Sequence, residues 1–346
     1  MQLEERIRTL LERLPPRAFW EQPLTTPDFT SNDYLGLVRE GVWPEILAQC
    51  PPQWWRGSTA SRYLGGDAEP FHTLEAEAER LWAFPGEKAL LFPSGLVANL
   101  SFWSIVSQRS DTVLFDREVH VSIRQGIRLS GATAWGFAHN DFSAAEALLR
   151  KARGEAFLVV ESLYSMRGTA PDPSALHYLI QRYGCHLVVD EAHTTFILPQ
   201  GKSWSAMHGL RPLARLFTLG KAVGAVGALW IGPEWLIAYL RQRGFGGIYT
   251  TALPPLMAWG AAAVLRRSPE WEARRKRLEQ LIQHTRVLLA EKRWAYEGLA
   301  GPIALIPAEG RALSLKRLYP PTVAFPAYRV SLHAHNTEAE VEELFR

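Results

Sequence analysis

Disulfide chemistry has little to work with in this chain, whose 346 residues include two cysteines, Cys50 and Cys185. Their spacing matches no metal site and frames no stapled fold, which suits a reducing compartment, the cytoplasm. No segment supplies the roughly 18 to 20 apolar residues that a membrane-spanning helix needs. The most apolar stretch, Trp230 to Leu240, is interrupted by Pro233 and Glu234. The N-terminus, MQLEERIRTLLERL, is charged from its fourth residue and does not read as a secretory leader. An excess of one charge is also missing. Thirty-eight Lys and Arg oppose 35 Asp and Glu, and the net +3 is too small to point to nucleic acid or an anionic membrane. The basic run Arg274 to Arg277 lies among Glu270, Glu272 and Glu279 and reads as a solvated helical face. Several catalytic signatures are absent as well. There is no H-E-x-x-H, C-x-x-C or G-x-S-x-G, and Gly201-Lys202-Ser203 lacks the upstream glycine of a phosphate loop. No G-x-G-x-x-G follows the first strand, so a dinucleotide fold has no support.

Apolar residues make up 47% of the chain and charged residues 21%, enough for a substantial core in one large or two ordinary domains. Short apolar runs read as strands at Ala89–Phe92, Thr112–Phe115, Ala132–Phe137, Ala156–Glu161, His186–Asp190, Leu216–Leu219 and Ala228–Ile231. Most are continuously apolar, the pattern of strands covered on both faces. Helical patterns lie between them. Asp172-Pro173 reads as an N-cap with proline at the first helical position, followed by the stripe Leu176, Leu179, Ile180 and Tyr183. Alternation of this kind predicts an α/β fold with a mostly parallel sheet. Beyond about residue 250 the pattern changes to a long helix carrying Leu278, Leu281, Ile282, Thr285, Leu288 and Leu289 on one face. Strand-like runs follow at Ile303–Ile306, Ala312–Leu318 and Arg329–His333, then a helix whose Thr337 and Glu340 have capping-box spacing. A smaller α+β domain is predicted there, its boundary between about 240 and 265.

Two segments carry chemistry. In HLVVDEAH, a buried strand ends in Asp190, with His193 three residues on. A carboxylate at that end of a sheet strand sits where open α/β sheets bind ligands, although an aspartate after an apolar run is common in itself. In TLGKAVGAVGA, Lys221 follows a strand and is flanked by Gly220, Gly224 and Gly227. A lone lysine is usually a solvated charge. One placed just past a buried strand, among small residues, can be a Schiff-base lysine. A strand-end aspartate and such a lysine are the counter-ion and the covalent partner that pyridoxal phosphate needs.

Nine collinear stretches then resemble one family. They are FTSNDYLGL (29–37), GSTASRYLGGDAEPFHTLE (57–75), LLFPSGLVAN (90–99), DREVHVSIRQGIRLSGA (116–132), FAHND (137–141), SLYSMRGTAPDP (162–173), VVDEAH (188–193), TLGKAVG (218–224) and PPTVAFPAYRVSL (320–332). The chain resembles the α-oxoamine synthases, pyridoxal-phosphate enzymes of aminotransferase fold type I. Within them it resembles the branch that condenses L-alanine with a pimeloyl thioester on the way to biotin. The resemblance implies a seven-stranded, mostly parallel sheet covered by helices on both faces, and a homodimer. It also implies an N-terminal helical arm over residues 1–30, a large cofactor-binding domain over 31–250 and a small α+β domain over 251–346.

The implied roles follow the motifs. Lys221 would hold the cofactor and then move the α-proton, Asp190 would pair with the pyridine nitrogen, and His120 would stack on the ring. Ser165 and His193 would lie near the phenolic oxygen, while Thr218 and the turn Ser94-Gly95-Leu96 would bind phosphate. That turn follows a strand and opens a helix, whose free N–H groups and dipole favour an anion. Arg329 would grip the amino-acid carboxylate, and Ser331 would line the same region. No metal is implied. The acyl donor could be pimeloyl-coenzyme A or a pimeloyl carrier protein. Siblings that use glycine or serine (glycine C-acetyltransferase, 5-aminolevulinate synthase, a serine palmitoyltransferase-like enzyme) and a non-catalytic binding protein remain alternatives. Three features depart from the family pattern. The arm is short and leaves Arg17 as a possible substrate contact. Arg167 stands where an aspartate is typical. Thr194-Thr195-Phe196 replaces a glycine-rich turn, and Phe196 is expected to crowd the site.

Overall fold

The computed structural model describes residues 3–12, 26–308, 315–318 and 326–345. Seven strands form the main sheet: β1 (Glu87–Phe92), β2 (Thr112–Asp116), β3 (Thr133–Phe137), β4 (Ala156–Glu161), β5 (His186–Asp190), β6 (Ala214–Thr218) and β7 (Ala228–Pro233). Their order is β1-β7-β6-β5-β4-β2-β3. All neighbours from β6 to β3 run parallel, and β7 alone is antiparallel to both strands beside it. Each predicted strand is present within two residues at either end. The continuously apolar runs are explained by burial: in β4, β5 and β6 nearly every residue is removed from solvent. One layer of helices packs Phe102, Trp103, Ile123 and Leu240 against one face, and another packs Leu149, Leu176 and Leu179 against the other.

A second, antiparallel sheet follows, with β8 (Glu297–Gly298), β9 (Ile303–Pro307), β10 (Lys316–Leu318) and β11 (Ala327–Ser331) in the order β10-β11-β9-β8. The run predicted from Arg329 to His333 begins two residues earlier, at Ala327, and ends at Ser331. The predicted strand over 312–318 is seen as Lys316–Leu318, its first residues lying outside the described ones, as does Arg17. The capping box forms as predicted, with the Thr337 hydroxyl accepting from the Glu340 N–H and the Glu340 carboxylate from the Thr337 N–H. Helix Leu3–Glu12 buries none of its residues. No helix among the described residues is long and apolar enough to cross a membrane. Both cysteines are free and buried.

Hydrogen bonds tie the second sheet to the segment that precedes the main sheet. Ser331 N–H donates to the Phe29 carbonyl and Ala334 N–H to that of Tyr34. The buried ring of His333 lies 2.9 Å from the Asp28 carbonyl through Nδ1 and 3.1 Å from the Ser31 carbonyl through Nε2. Asp28, His333 and His335 thereby converge, their ligand-capable atoms within 4.8 Å of one another. The His333 ring, with a backbone carbonyl near each nitrogen, acts as a clasp between the end of β11 and the segment around Asp28.

Candidate active site

A cavity of about 440 Å³ opens where β4, β5 and β6 end, on the carboxyl side of the main sheet. Parallel strands place three polar groups there in adjacent positions. Glu161 and Asp190 are paired across β4 and β5, and Asp190 is paired with Leu216 of β6, two residues before Thr218. Asp190 is 5% exposed, and its Oδ1 accepts from the Ala192 N–H at 3.0 Å. Beyond β6 the chain turns tightly, with the Gly224 N–H on the Lys221 carbonyl and the Ala225 N–H on that of Leu219. The turn brings Lys221 Nζ to 3.1 Å from Thr218 Oγ1. Burial disfavours the ammonium and lowers the pKa of Lys221 from its ordinary value, with Asp190 and Glu161 pulling the other way. The glycines around Lys221 serve the turn. Gly224 has φ +73, and a Cβ there would lie 2.6 Å from the Trp43 indole nitrogen, whereas a Cβ at Gly220 would meet nothing closer than 3.5 Å.

The anion end of the cavity begins at Ser94, whose hydroxyl caps helix Gly95–Val106 by accepting from the Val97 N–H. A Cβ on Gly95 would come within 2.9 Å of Thr218 Cγ2, so glycine is what lets the helix start meet the end of β6. Ser94, Gly95, Leu96, His120, Ser165, Asp190, His193, Thr218 and Lys221 all line the one cavity. Arg329 and Ser331 do not. Arg329 is 4% exposed, and three of its five N–H groups reach the Ser165 carbonyl, the Ser331 hydroxyl and Asn32 Oδ1. It stands behind Asn32 and Ser165, which do line the cavity.

Four polar cavity residues were not among those expected from the motifs: Asn32, Asn99, Ser122 and Glu161. A polar residue inside an apolar helix was the available signal for Asn99, in GLVANLSFWSIV, because a buried amide needs partners. Asn32 Oδ1 accepts from Tyr34 Oη at 3.1 Å as well as from Arg329, and Tyr34 Oη lies 2.7 Å from His193 Nδ1. Burial pushes the Tyr34 phenol up to about 12. Glu161 accepts from the backbone N–H groups of His120 and Ser165, and so fixes two loops of the cavity. Burial, with the Asp190 charge beside it, pushes its carboxyl up to about 8.

Two departures from the family pattern take on structural roles. Phe196 does not crowd the cavity. It turns away at φ +70, is wholly buried, and lies under the Arg275 guanidinium at 4.6 Å, whose Nε–H donates to its carbonyl. Arg167 bridges Glu118, two residues before His120, and Glu297 of β8. It thereby ties a cavity loop to the second sheet.

The donor set suits pyridoxal phosphate: a buried carboxylate, a lysine of lowered pKa and a glycine-shaped helix start face one space. The family model for aminotransferase class I and II matches residues 27–346. The chain is 36% identical to an 8-amino-7-oxononanoate synthase of Burkholderia thailandensis, covering 91% of this chain and 86% of that one. It is 35% identical to that of Marinobacter nauticus, over 94% and 89%. Among solved structures, the 8-amino-7-oxononanoate synthase of Francisella tularensis superposes with a TM-score of 0.79 at 26% identity, over 93% and 96% of the two chains. The serine palmitoyltransferase of Sphingomonas wittichii superposes with 0.86 at 21% identity, over 99% and 94%, a likeness of fold.

Proposed function

The chain belongs to the aminotransferase class I and II family and, within it, to the 8-amino-7-oxononanoate synthases, and from that premise we propose how its residues divide the reaction. It is a pyridoxal-phosphate-dependent acyltransferase of biotin biosynthesis. Its substrates are L-alanine and a pimeloyl thioester, carried by coenzyme A or a carrier protein. A bond forms between alanine Cα and the thioester carbonyl carbon, the C–S bond breaks to release thiol, and the alanine carboxylate leaves as carbon dioxide. When bound, pyridoxal phosphate supplies the electron sink for negative charge at Cα.

The chain's own groups do the rest. Asp190 would hold the pyridine nitrogen, His120 would cover the ring face, and Ser165 and His193 would orient the phenolic oxygen. The N–H groups at Ser94, Gly95 and Leu96, with Thr218, would hold the phosphate. Lys221 Nζ anchors the cofactor, then takes the α-proton and returns it to the product, a role helped by its depressed basicity. Arg329 acts from behind Asn32 and Ser165, offering its remaining donors to the carboxylate with Ser331 at its side. Leu96, Val121 and Val226 keep 43 to 49% of their surfaces exposed at or beside the cavity, which supports a homodimer that covers it. The two sheets support a division near residue 250, and the free, buried cysteines are compatible with the cytoplasm.

The observation that carries the reading is the convergence of Asp190, Lys221 and the Ser94 helix start on one cavity. The test follows thiol release from pimeloyl-coenzyme A by the loaded protein with L-alanine, glycine or L-serine. Release that requires L-alanine and Lys221 is expected. Release with glycine or serine alone would move the chain to a sibling activity, and none with any amino acid would refute catalysis on this donor.

A further inference from the structure

Along the cavity lining a row of side chains joins the floor to the histidine at the rim. Asn99 Nδ2 donates to Asp190 Oδ2 at 3.1 Å and to Ser122 Oγ at 3.0 Å. Ser122 Oγ lies 2.7 Å from His120 Nδ1, and the Ser122 N–H reaches the same nitrogen at 3.3 Å. Asn99 and Ser122 are 1% and 0% exposed, so water cannot substitute for any of these bonds, while His120 stands exposed at the far end.

The bond directions follow from the fixed groups at the two ends, the Asp190 carboxylate and the Ser122 backbone N–H. Asp190 can only accept as a carboxylate, so Asn99 must turn its NH2 toward it, and the second amide hydrogen then points at Ser122. Ser122 Oγ keeps one hydrogen and one lone pair, so the Ser122 backbone N–H, which can only donate and reaches the same Nδ1, decides that this nitrogen accepts and that the hydroxyl hydrogen is given to it. Nδ1 therefore accepts from the hydroxyl and the backbone N–H of Ser122 and carries no proton. The remaining proton of a neutral imidazole must reside on Nε2. Asn99 Oδ1 is left buried without a partner among the described residues, an unusual cost that marks a constrained amide.

We propose that Asn99 and Ser122 are positioning residues that lock His120 as the neutral Nε2–H tautomer, so that the cavity always meets an N–H donor at that ring. Protonating Nδ1 would force the Ser122 hydroxyl to rotate, leaving its hydrogen buried and unpaired. The charged groups around the ring are Asp190, Lys221, Arg124 and, on its backbone N–H, Glu161. The inference rests on this cavity being the active site, but its test reads the histidine and not turnover.

The test is NMR on full-length protein with ¹⁵N-labelled histidine, before and after loading with pyridoxal phosphate, the His120 signals being assigned by their loss in His120→Asn. The wild type is expected to show Nδ1 in the range of an unprotonated nitrogen and Nε2 in that of an N–H. Ser122→Ala, which removes one oxygen, should give a mixture of tautomers and raise the titration midpoint of His120 by about one pH unit, the worth of one lost hydrogen bond. Asn99→Ala should shift it less in the same direction, and Ser122→Thr should restore the wild-type pattern. A protonated Nδ1 in the wild type, or shifts and midpoint unmoved by Ser122→Ala, would overturn the relay. An enzyme inert toward alanine with the relay intact would refute the substrate reading alone.

Discussion

The floor of the cavity and the wall opposite it differ in how far apart along the chain their parts lie. Asp190, Thr218 and Lys221 come from two neighbouring strands and the turn after them, set by the parallel register of a buried sheet. The wall joins Asn32 to Arg329 across 297 residues and Tyr34 to His193 across 159, and it exists only because the second sheet is clasped to the segment around Asp28. The floor is therefore made by local strand-end geometry and inherits the rigidity of the sheet. The wall is made by closure, so it is the part through which substrate preference can vary while cofactor chemistry stays fixed.

If that division is right, a floor variant should remove chemistry and a wall variant should weaken binding. Lys221→Ala is the largest expected effect, a loss of at least about 10³-fold in kcat measured by thiol release, with fold and melting temperature little changed. Arg329→Lys comes next. It keeps the charge but loses the forked bonds to the Ser165 carbonyl and Asn32, and should raise KM for alanine about ten- to a hundredfold with a smaller change in kcat. An equal fall of kcat in both variants would erase the contrast.

Smaller effects test the supports. Phe196→Gly removes a buried ring, worth roughly 3 to 5 kcal/mol, but relieves a left-handed backbone by about 1 to 2 kcal/mol. A net loss of about 2 kcal/mol in denaturant unfolding is expected. Arg167→Ala should cost only about 1 kcal/mol, because this pair is partly exposed, and should lessen the dependence of stability on salt. A pH-dependent effect concerns Glu161. In the fold it keeps its proton up to about pH 8, whereas the unfolded chain releases it near 4.5. Its contribution is complete below 4.5 and is lost as pH rises toward 8. In cofactor-free protein, the melting temperature of Glu161→Gln relative to wild type should therefore rise across that window, and a constant difference would contradict the raised pKa.

The floor was the legible part because strand-end residues follow apolar runs in sequence, and Asp190 and Lys221 stand at such ends. The strands of the main sheet were legible for the same reason, being buried on both faces. Asn99, Ser122 and Asn32 were not, since each owes its place to partners far along the chain: Asn99 to Asp190, Ser122 to Asn99, Asn32 to Arg329. Phe196 was misjudged because the sequence shows its bulk but not the backbone turn that sends the ring toward Arg275. Arg329 lies outside the cavity lining, and its position behind Asn32 and Ser165 depends on how the second sheet closes.

The central claim is that the cofactor is anchored at the sheet end through Lys221. Borohydride reduction of the loaded protein, followed by peptide mass spectrometry, tests it directly. The account predicts one phosphopyridoxyl group, on the peptide containing Lys221, and none in Lys221→Ala. Attachment to another lysine, or specific labelling that survives Lys221→Ala, would contradict it.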